Sequence, residues 1–423
     1  MSAPLVLCAS AKKVFSIMSP LSQSARVLIV GGGIGGLAAA LALSKQGVAS
    51  TVLEQAPQLG EIGAGIQLGP NAFAAFDALG LGERARSRAV YTDDLIMQDA
   101  VDGQVVVKIP TAQAFRDRFD NPYAVIHRAD MHQSLLEAAE ESGLVDFLIS
   151  TRIERIETTD HGVRVYDQHN RSFEGQALIG ADGVKSVVRE HFVADPHRVT
   201  GHVVYRAVVP VEEFPKDLQW NAAALWVGPN CHLVHYPLKG GEQYNVVVTF
   251  HSRQTEEWGV SEGSQAEVQS YFDGVCPEAR QLIDLPKSWR RWATADRDPI
   301  AQWSFGRCTL LGDAAHPTTQ YMAQGACMAM EDAVTLAQCL RVCDHDWVRA
   351  FQMYQQARVA RTARIVLSSR QMGKIYHASG VERLVRNDMW RGRSTERFYD
   401  ALEWLYGWKL DNCLSGVQAQ TIG

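Results

Sequence analysis

Residues Arg26–Glu54 read RVLIVGGGIGGLAAALALSKQGVASTVLE, and the order of residue types in this stretch decides the fold. Arg26–Val30 is a short apolar strand, Gly35–Gln46 has the composition of a closely packed small-residue helix, and Ser50–Leu53 is a second strand ending at Glu54. Gly31, Gly33 and Gly36 take the glycine places of a GxGxxG turn. Such a turn lets backbone approach a pyrophosphate, the following helix offers N–H groups and partial positive charge, and the acid accepts ribose hydroxyls. A glycine-rich packing turn needs neither the helix nor the acid in this order. A bound dinucleotide is therefore expected, with NAD and FAD equally suited to the turn itself.

The apolar run Val27–Leu43 is slightly short for a bilayer and holds five glycines, so no membrane span is expected. Residues 1–25 lack the layout of a secretory signal and read as a disordered leader, with Met18 as an alternative start to Met1. At 423 residues, 46% apolar and 21% charged, the chain has room for two or three globular domains. A net charge of −6 gives no reason to expect nucleic acid or a membrane surface as a partner. The eight cysteines are scattered without CxxC pairs, which argues against a zinc site or a secreted disulfide framework and for a cytoplasmic location.

Strand and helix patterns alternate along the chain, so the expected fold class is α/β: a Rossmann-like FAD-binding domain, an antiparallel-sheet substrate domain and a helical C-terminal region. Between Gly201 and Ser252 the texture changes to HVVYRAVVPV, AAALWVG, HLVHYPL and YNVVVTFHS, with no helix-length pattern between them. The expected divisions are 26–197 with 295–350 for the dinucleotide domain, 198–294 for the β-rich domain and 351–423 for the C-terminal helices.

Two further motifs select the dinucleotide. Ala177–Arg189 reads ALIGADGVKSVVR, a strand ending in Asp182-Gly183 with Ser186 and Arg189 at helical spacing. Taken alone this is a turn with a helix cap. Leu310–Ala326 reads LLGDAAHPTTQYMAQGA, a strand ending in Gly312-Asp313, then His316-Pro317, then a glycine turn opening a helix. GxGxxG, DG and GD in this order resemble the group A flavin-dependent aromatic hydroxylases, the p-hydroxybenzoate hydroxylase family. The resemblance implies bound FAD, transient NADH without a second dinucleotide fold, and oxygen chemistry through a C4a-hydroperoxyflavin. It assigns the ADP half of FAD to Gly31, Gly33, Gly36 and Glu54, the pyrophosphate or ribityl region to Arg128 in HRADMH, and the pyrophosphate region, with NADH as a further ligand, to Asp182. It places Asp313, after Gly312, on the ribityl chain, and the helix starting at Gly325-Ala326 beneath the flavin pyrimidine, where its dipole favours the anionic reduced ring.

The other wall of the site is expected from the β-rich region. In Cys231–Tyr236, CHLVHY, alternation puts His232, Val234 and Tyr236 on one face and Leu233 and His235 on the other. Most members of the family have a proline four residues after the GDAAHP histidine, whereas this chain has Gln320. With CHxxxYPLxGG, Gly60–Asn71 (GEIGAGIQLGPN), Asn121–Arg128 (NPYAVIHR) and Glu403–Trp408 (EWLYGW), the pattern is similar to the 3-hydroxybenzoate 6-hydroxylases within that family. That implies hydroxylation of a small aromatic acid para to its hydroxyl, using O2, with His232 as base for the phenol, Gln320 orienting the substrate or the peroxide, and Tyr236 and Tyr123 bonding substrate oxygens. Salicylate and hydroxynicotinate hydroxylases share the same frame, a plain NAD dehydrogenase would leave DG and GD without purpose, and a flavin-binding sensor would keep the frame without turnover. A homodimer is left open. The aromatic cluster Trp404, Tyr406 and Trp408 reads as core or interface packing.

Overall fold

A computed structural model of the chain describes residues 26–60, 65–415 and 417. The expected leader and Glu61–Ala64 of the GEIGAG stretch lie outside the described residues.

The strand, helix and strand read from Arg26–Glu54 are present as Val27–Val30, α1 (Ile34–Ser44) and Ser50–Leu53. They enter a six-stranded sheet whose spatial order is Ser304–Phe305, Cys308–Leu310, Ala177–Gly180, Val27–Val30, Ser50–Leu53, Val145–Leu148. All pairs are parallel except the first hairpin. The consequence for the site is direct. The strands preceding the GGG, DG and GD turns lie side by side, with Val30 opposite Gly180 and Gly180 opposite Leu310, so three motifs far apart in sequence emerge at one sheet edge. Nearly all of α1 is buried, packed against α2 (Arg128–Glu141) and α3 (Gly325–Val342). This is why its residues are small: a Cβ on Gly35 would lie 2.9 Å from Leu311 and 3.4 Å from Ala329.

The strands expected between Gly201 and Ser252 form the centre of an eight-stranded sheet, ordered Gly259–Gly263, Trp289–Asp296, Arg198–Pro210, Gln243–His251, Cys231–Leu238, Ala222–Gly228, Asp94–Asp99, Val105–Pro110. The last two strands come from outside 198–294, and Ala222–Gly228 pairs with Asp94–Asp99 in parallel, so the sheet is larger than expected and not purely antiparallel. Period-2 alternation marks a strand but not its partner, which is why DLIMQD and VVVKIP could not be assigned to this sheet beforehand.

The expected boundary at residue 350 falls inside α4 (Trp347–Tyr376), a helix of 30 residues whose C-terminal end reaches the β-rich sheet. α5 (Gly380–Arg391) is fastened to that sheet through the buried Asp99 carboxylate, which accepts from Arg383 at 2.6 Å, Arg386 at 3.0 Å and Asn387 at 2.6 Å. α6 (Thr395–Tyr406) packs Tyr399 and Tyr406 on Phe115 and Phe119, the core role expected for the C-terminal aromatics. Among the described residues no helix is long and apolar enough to cross a membrane.

Behind the inner sheet face His235 is wholly buried beside Phe214, Trp220 and Trp226, with neither ring nitrogen hydrogen-bonded among the described residues. Burial pushes its imidazole down to about 3. The unfolded chain therefore binds a proton at His235 below the usual value near 6.5 while the native state does not, and native stability falls as pH drops through that window. His235→Phe should remove about 1.4 kcal/mol per pH unit from the acid sensitivity of stability between about pH 4.5 and 5.5, read by urea unfolding across that range.

Candidate active site

A cleft of about 710 Å³ lies between the C-terminal ends of the parallel strands and the inner face of the eight-stranded sheet. Gly31, Gly33, Glu54, Arg128, Asp182 and Gly312 line it, with Asp313, Gly325 and Ala326. His232, Tyr236 and Gln320 line the same cleft. Two expected residues stand apart from it. Gly36 packs under the turn, where a Cβ would sit 1.9 Å from the Gly31 carbonyl oxygen. Tyr123 is one layer behind the wall and donates from its hydroxyl to Gln67 Oε1 at 2.5 Å, so Gln67 is the group presented to the cleft.

The residues present fit FAD. A Cβ on Gly33 would meet nothing within 4 Å, so the turn leaves open space above the start of α1. Neither α1 nor α3 carries a side-chain N-cap or a first-turn acid, and both N-termini open on the cleft with their first N–H groups available to an anion or a carbonyl. Asp313 is open to the cleft yet set deep among protein atoms, with no hydrogen-bond partner among the described residues. Its carboxyl is pushed up by burial, although His316 and Arg128 pull it down. An acid in that setting gains from hydroxyl donors. Glu54 accepts from Gly32 N and Ala56 N at 2.7 Å each, which fixes its carboxylate at the mouth of the turn. Asp182 keeps its cap role, accepting from Ser186 Oγ at 2.5 Å and Val187 N at 2.8 Å, and burial raises its carboxyl.

The motifs are wired to one another. Gly31, at φ +105°, has no room for a side chain because a Cβ would lie 2.4 Å from the Ala181 oxygen. His132, the second histidine of HRADMH, lies 2.8 Å from the Gly32 carbonyl oxygen. Arg189, following DG, donates to the carbonyls of Ala314 and Ala315 at 3.1 and 2.6 Å. His316 bolts the GDAAHP loop to α3 through Asp332 at 2.5 Å, and the same carboxylate accepts from Gly312 N at 3.1 Å. Arg358 of α4 bridges Asp332 and its neighbour Glu331 at 2.7 and 2.6 Å. Glu331 also takes Arg361 and Asn71, and Asn71 donates at 2.8 Å to Gln324 at the start of α3. Burial opposes ionisation of Asp332, but His316 and Arg358 outweigh it and hold the carboxyl at about 2.

On the sheet wall His232 and Tyr236 share one face as the alternation requires, and Gln320 reaches across so that its Nε2 lies 3.4 Å from Thr249 Oγ1, the cross-strand neighbour of His232. His232 is 3% exposed, and burial, with His202 nearby, pushes its imidazole down to about 3. The ring is neutral at physiological pH, and its Nδ1 is 2.8 Å from His377 Nε2. Sequence reading did not find Gln67, Arg206 or His377. Arg206 lines the cleft, donates to the Gly65 carbonyl at 3.3 Å and is pushed down by burial; the one cation in the apolar strand HVVYRAVVP was its signal. His377 carries no local signal, since it meets His232 only through the fold.

A family model described as FAD binding domain matches residues 24–368. The chain belongs to that family. It is 74% identical to 3-hydroxybenzoate 6-hydroxylase of Polaromonas naphthalenivorans (strain CJ2) over 389 residues, covering 92% of this chain and 97% of the relative. It is 59% identical to the Klebsiella oxytoca protein of the same name, covering 93% and 99%. Klebsiella pneumoniae HpxO complexed with FAD and uric acid superimposes with a TM-score of 0.79 at 26% identity, covering 93% of this chain and 98% of that one. The chain is an FAD-dependent aromatic hydroxylase.

Two outcomes test this site. Asp313→Ala should weaken FAD binding by about 10- to 100-fold, the equivalent of losing about 1.5–3 kcal/mol of charge-assisted hydrogen bonding, measured by quenching of FAD fluorescence on titration into apoprotein. Arg358→Leu leaves two carboxylates buried without their shared cation and should cost about 3–5 kcal/mol of stability in denaturant unfolding.

Proposed function

We propose that the chain hydroxylates 3-hydroxybenzoate para to its hydroxyl, giving gentisate at the expense of NADH and O2. The observation that carries this reading is that His232 and Tyr236, on one face of their strand, line the same cleft as Gln320 and the N-terminus of α3. The names of the relatives at 74% and 59% identity support the same substrate.

FAD held in the cleft and reduced by NADH would activate O2, one atom of which goes to the ring and the other to water. The protein's own residues do the rest. A phenol becomes reactive at its para carbon when it loses or shares its proton. His232 can accept or share that proton, because its imidazole is neutral and, with Nδ1 engaged by His377, its Nε2 is left free as acceptor. Tyr236, whose phenol is pushed up by burial against the pull of Arg206, stays protonated and donates to a substrate oxygen. Tyr123 acts through Gln67 and does not touch the ligand itself. Gln320 orients the ring from the loop side, and the first N–H groups of α3 favour negative charge developing nearby. Apolar Val234 and Val247 cover the ring between these polar groups and limit water.

The experiment supplies NADH, O2 and either 3-hydroxybenzoate or salicylate to the FAD-loaded protein and identifies products by chromatography. Gentisate from 3-hydroxybenzoate, with NADH loss matching product, is the expected result; catechol from salicylate with no gentisate would overturn the assignment. In the same assay His232→Asn should slow product formation by about 100-fold or more, the usual worth of a positioned base.

A further inference from the structure

We propose that His377, at the C-terminal end of α4, positions His232 and carries to solvent the proton that His232 takes from the substrate phenol. The inference rests on the reading of His232 as the base and extends it to a residue of the C-terminal helical region.

The geometry is specific. His377 Nε2 lies 2.8 Å from His232 Nδ1, and among the described residues no other group hydrogen-bonds to the His232 ring. The approach of α4 to the sheet is set by a backbone bond: Asn230 N–H, in the turn before the His232 strand, donates to the His377 carbonyl at 3.1 Å. The Asn230 side chain donates to the His251 carbonyl at 3.1 Å, so one turn residue holds both histidine-bearing segments. Tyr321 packs against both rings of the pair, at 5.4 and 5.7 Å, and Gly373 lacks a side chain where a Cβ would strike Tyr321 at 2.7 Å. Exposure rises along the series: His232 is buried, His377 half-buried and His251 exposed.

The chemistry needs an outlet. Burial disfavours a charged His232, with His202 adding to the effect, so a proton accepted at Nε2 cannot rest there. Transfer of the Nδ1 proton to His377 Nε2 leaves His232 neutral, and His377 releases a proton from Nδ1 to water. One proton enters the pair, one leaves, and reverse passage after turnover restores both tautomers. The titratable groups facing the pair are His202, His251, Tyr321 and Tyr376, and the Arg198–Asp296 ion pair acts on His202 from behind. Burial, then His232, His202 and His251, keep His377 well below the ordinary imidazole value, so it passes a proton on and does not store it.

The test mixes FAD-loaded protein with 3-hydroxybenzoate in the absence of NADH, following phenolate absorbance and a pH-indicator dye, with benzoate as the ligand lacking a phenol. Wild-type protein should release a proton on binding 3-hydroxybenzoate and none on binding benzoate. His377→Asn keeps a hydrogen-bonding group beside His232 but cannot titrate; it should bind the ligand within about threefold of wild type and release the proton about tenfold more slowly or worse. Added imidazole should speed release in His377→Ala and leave wild type unchanged. Release at the wild-type rate in His377→Asn would overturn the proposal while leaving His232 as the base. Absence of phenol ionisation in wild type would overturn both.

Discussion

The cleft depends on one buried cation held between two adjacent acids. Arg358 bridges Glu331 and Asp332, all three wholly buried, and each acid carries a different part of the site. Asp332 fixes Gly312 and His316 of the GD loop, while Glu331 reaches Asn71 and, through it, Gln324 at the head of α3. Arg361 extends the cluster to the carbonyls of Trp404 and Leu405, tying the end of α6 to the same point. Buried ion pairs are poor sources of net stability, because desolvation offsets most of the Coulomb gain. What this cluster supplies is position: the loop and the helix terminus that line the cleft cannot shift without stripping a buried charge of its partner.

Around that anchor the fold divides the labour. The parallel sheet brings three turn motifs to one edge, which gives a dinucleotide a row of backbone donors and open glycine surface. The eight-stranded sheet faces that edge with a wall whose polar groups are few and mostly neutral. Burial keeps His232 uncharged and Tyr236 protonated, which suits a ligand that must be gripped by hydrogen bonds and relieved of a proton. Three arginines, Arg128, Arg152 and Arg206, line the cleft, as befits a site for an anionic cofactor and an aromatic acid.

The parts legible in the sequence were those whose cause is local. A glycine turn between strand and helix, an acid after the second strand, and a histidine and tyrosine two pleats apart each follow from spacing along a few residues, and each is found where that spacing puts it. Contacts between distant segments were not legible. Gln67 stands in front of Tyr123, Asp94–Pro110 joins a sheet otherwise built from residues 198–296, and His377 meets His232 from 145 positions away. His316 shows the difference within one motif. The sequence marks it as special, but its use as a bolt to Asp332 appears only when α3 folds back over the loop.

The most direct measurement is a crystal structure of the FAD-loaded protein with 3-hydroxybenzoate bound. The account predicts the phenolic oxygen within hydrogen-bond distance of His232 Nε2, with the carbon para to it turned toward the flavin and Gln320 along the ring. A carboxylate at His232, with the phenol directed to solvent or to Gln320, would contradict it.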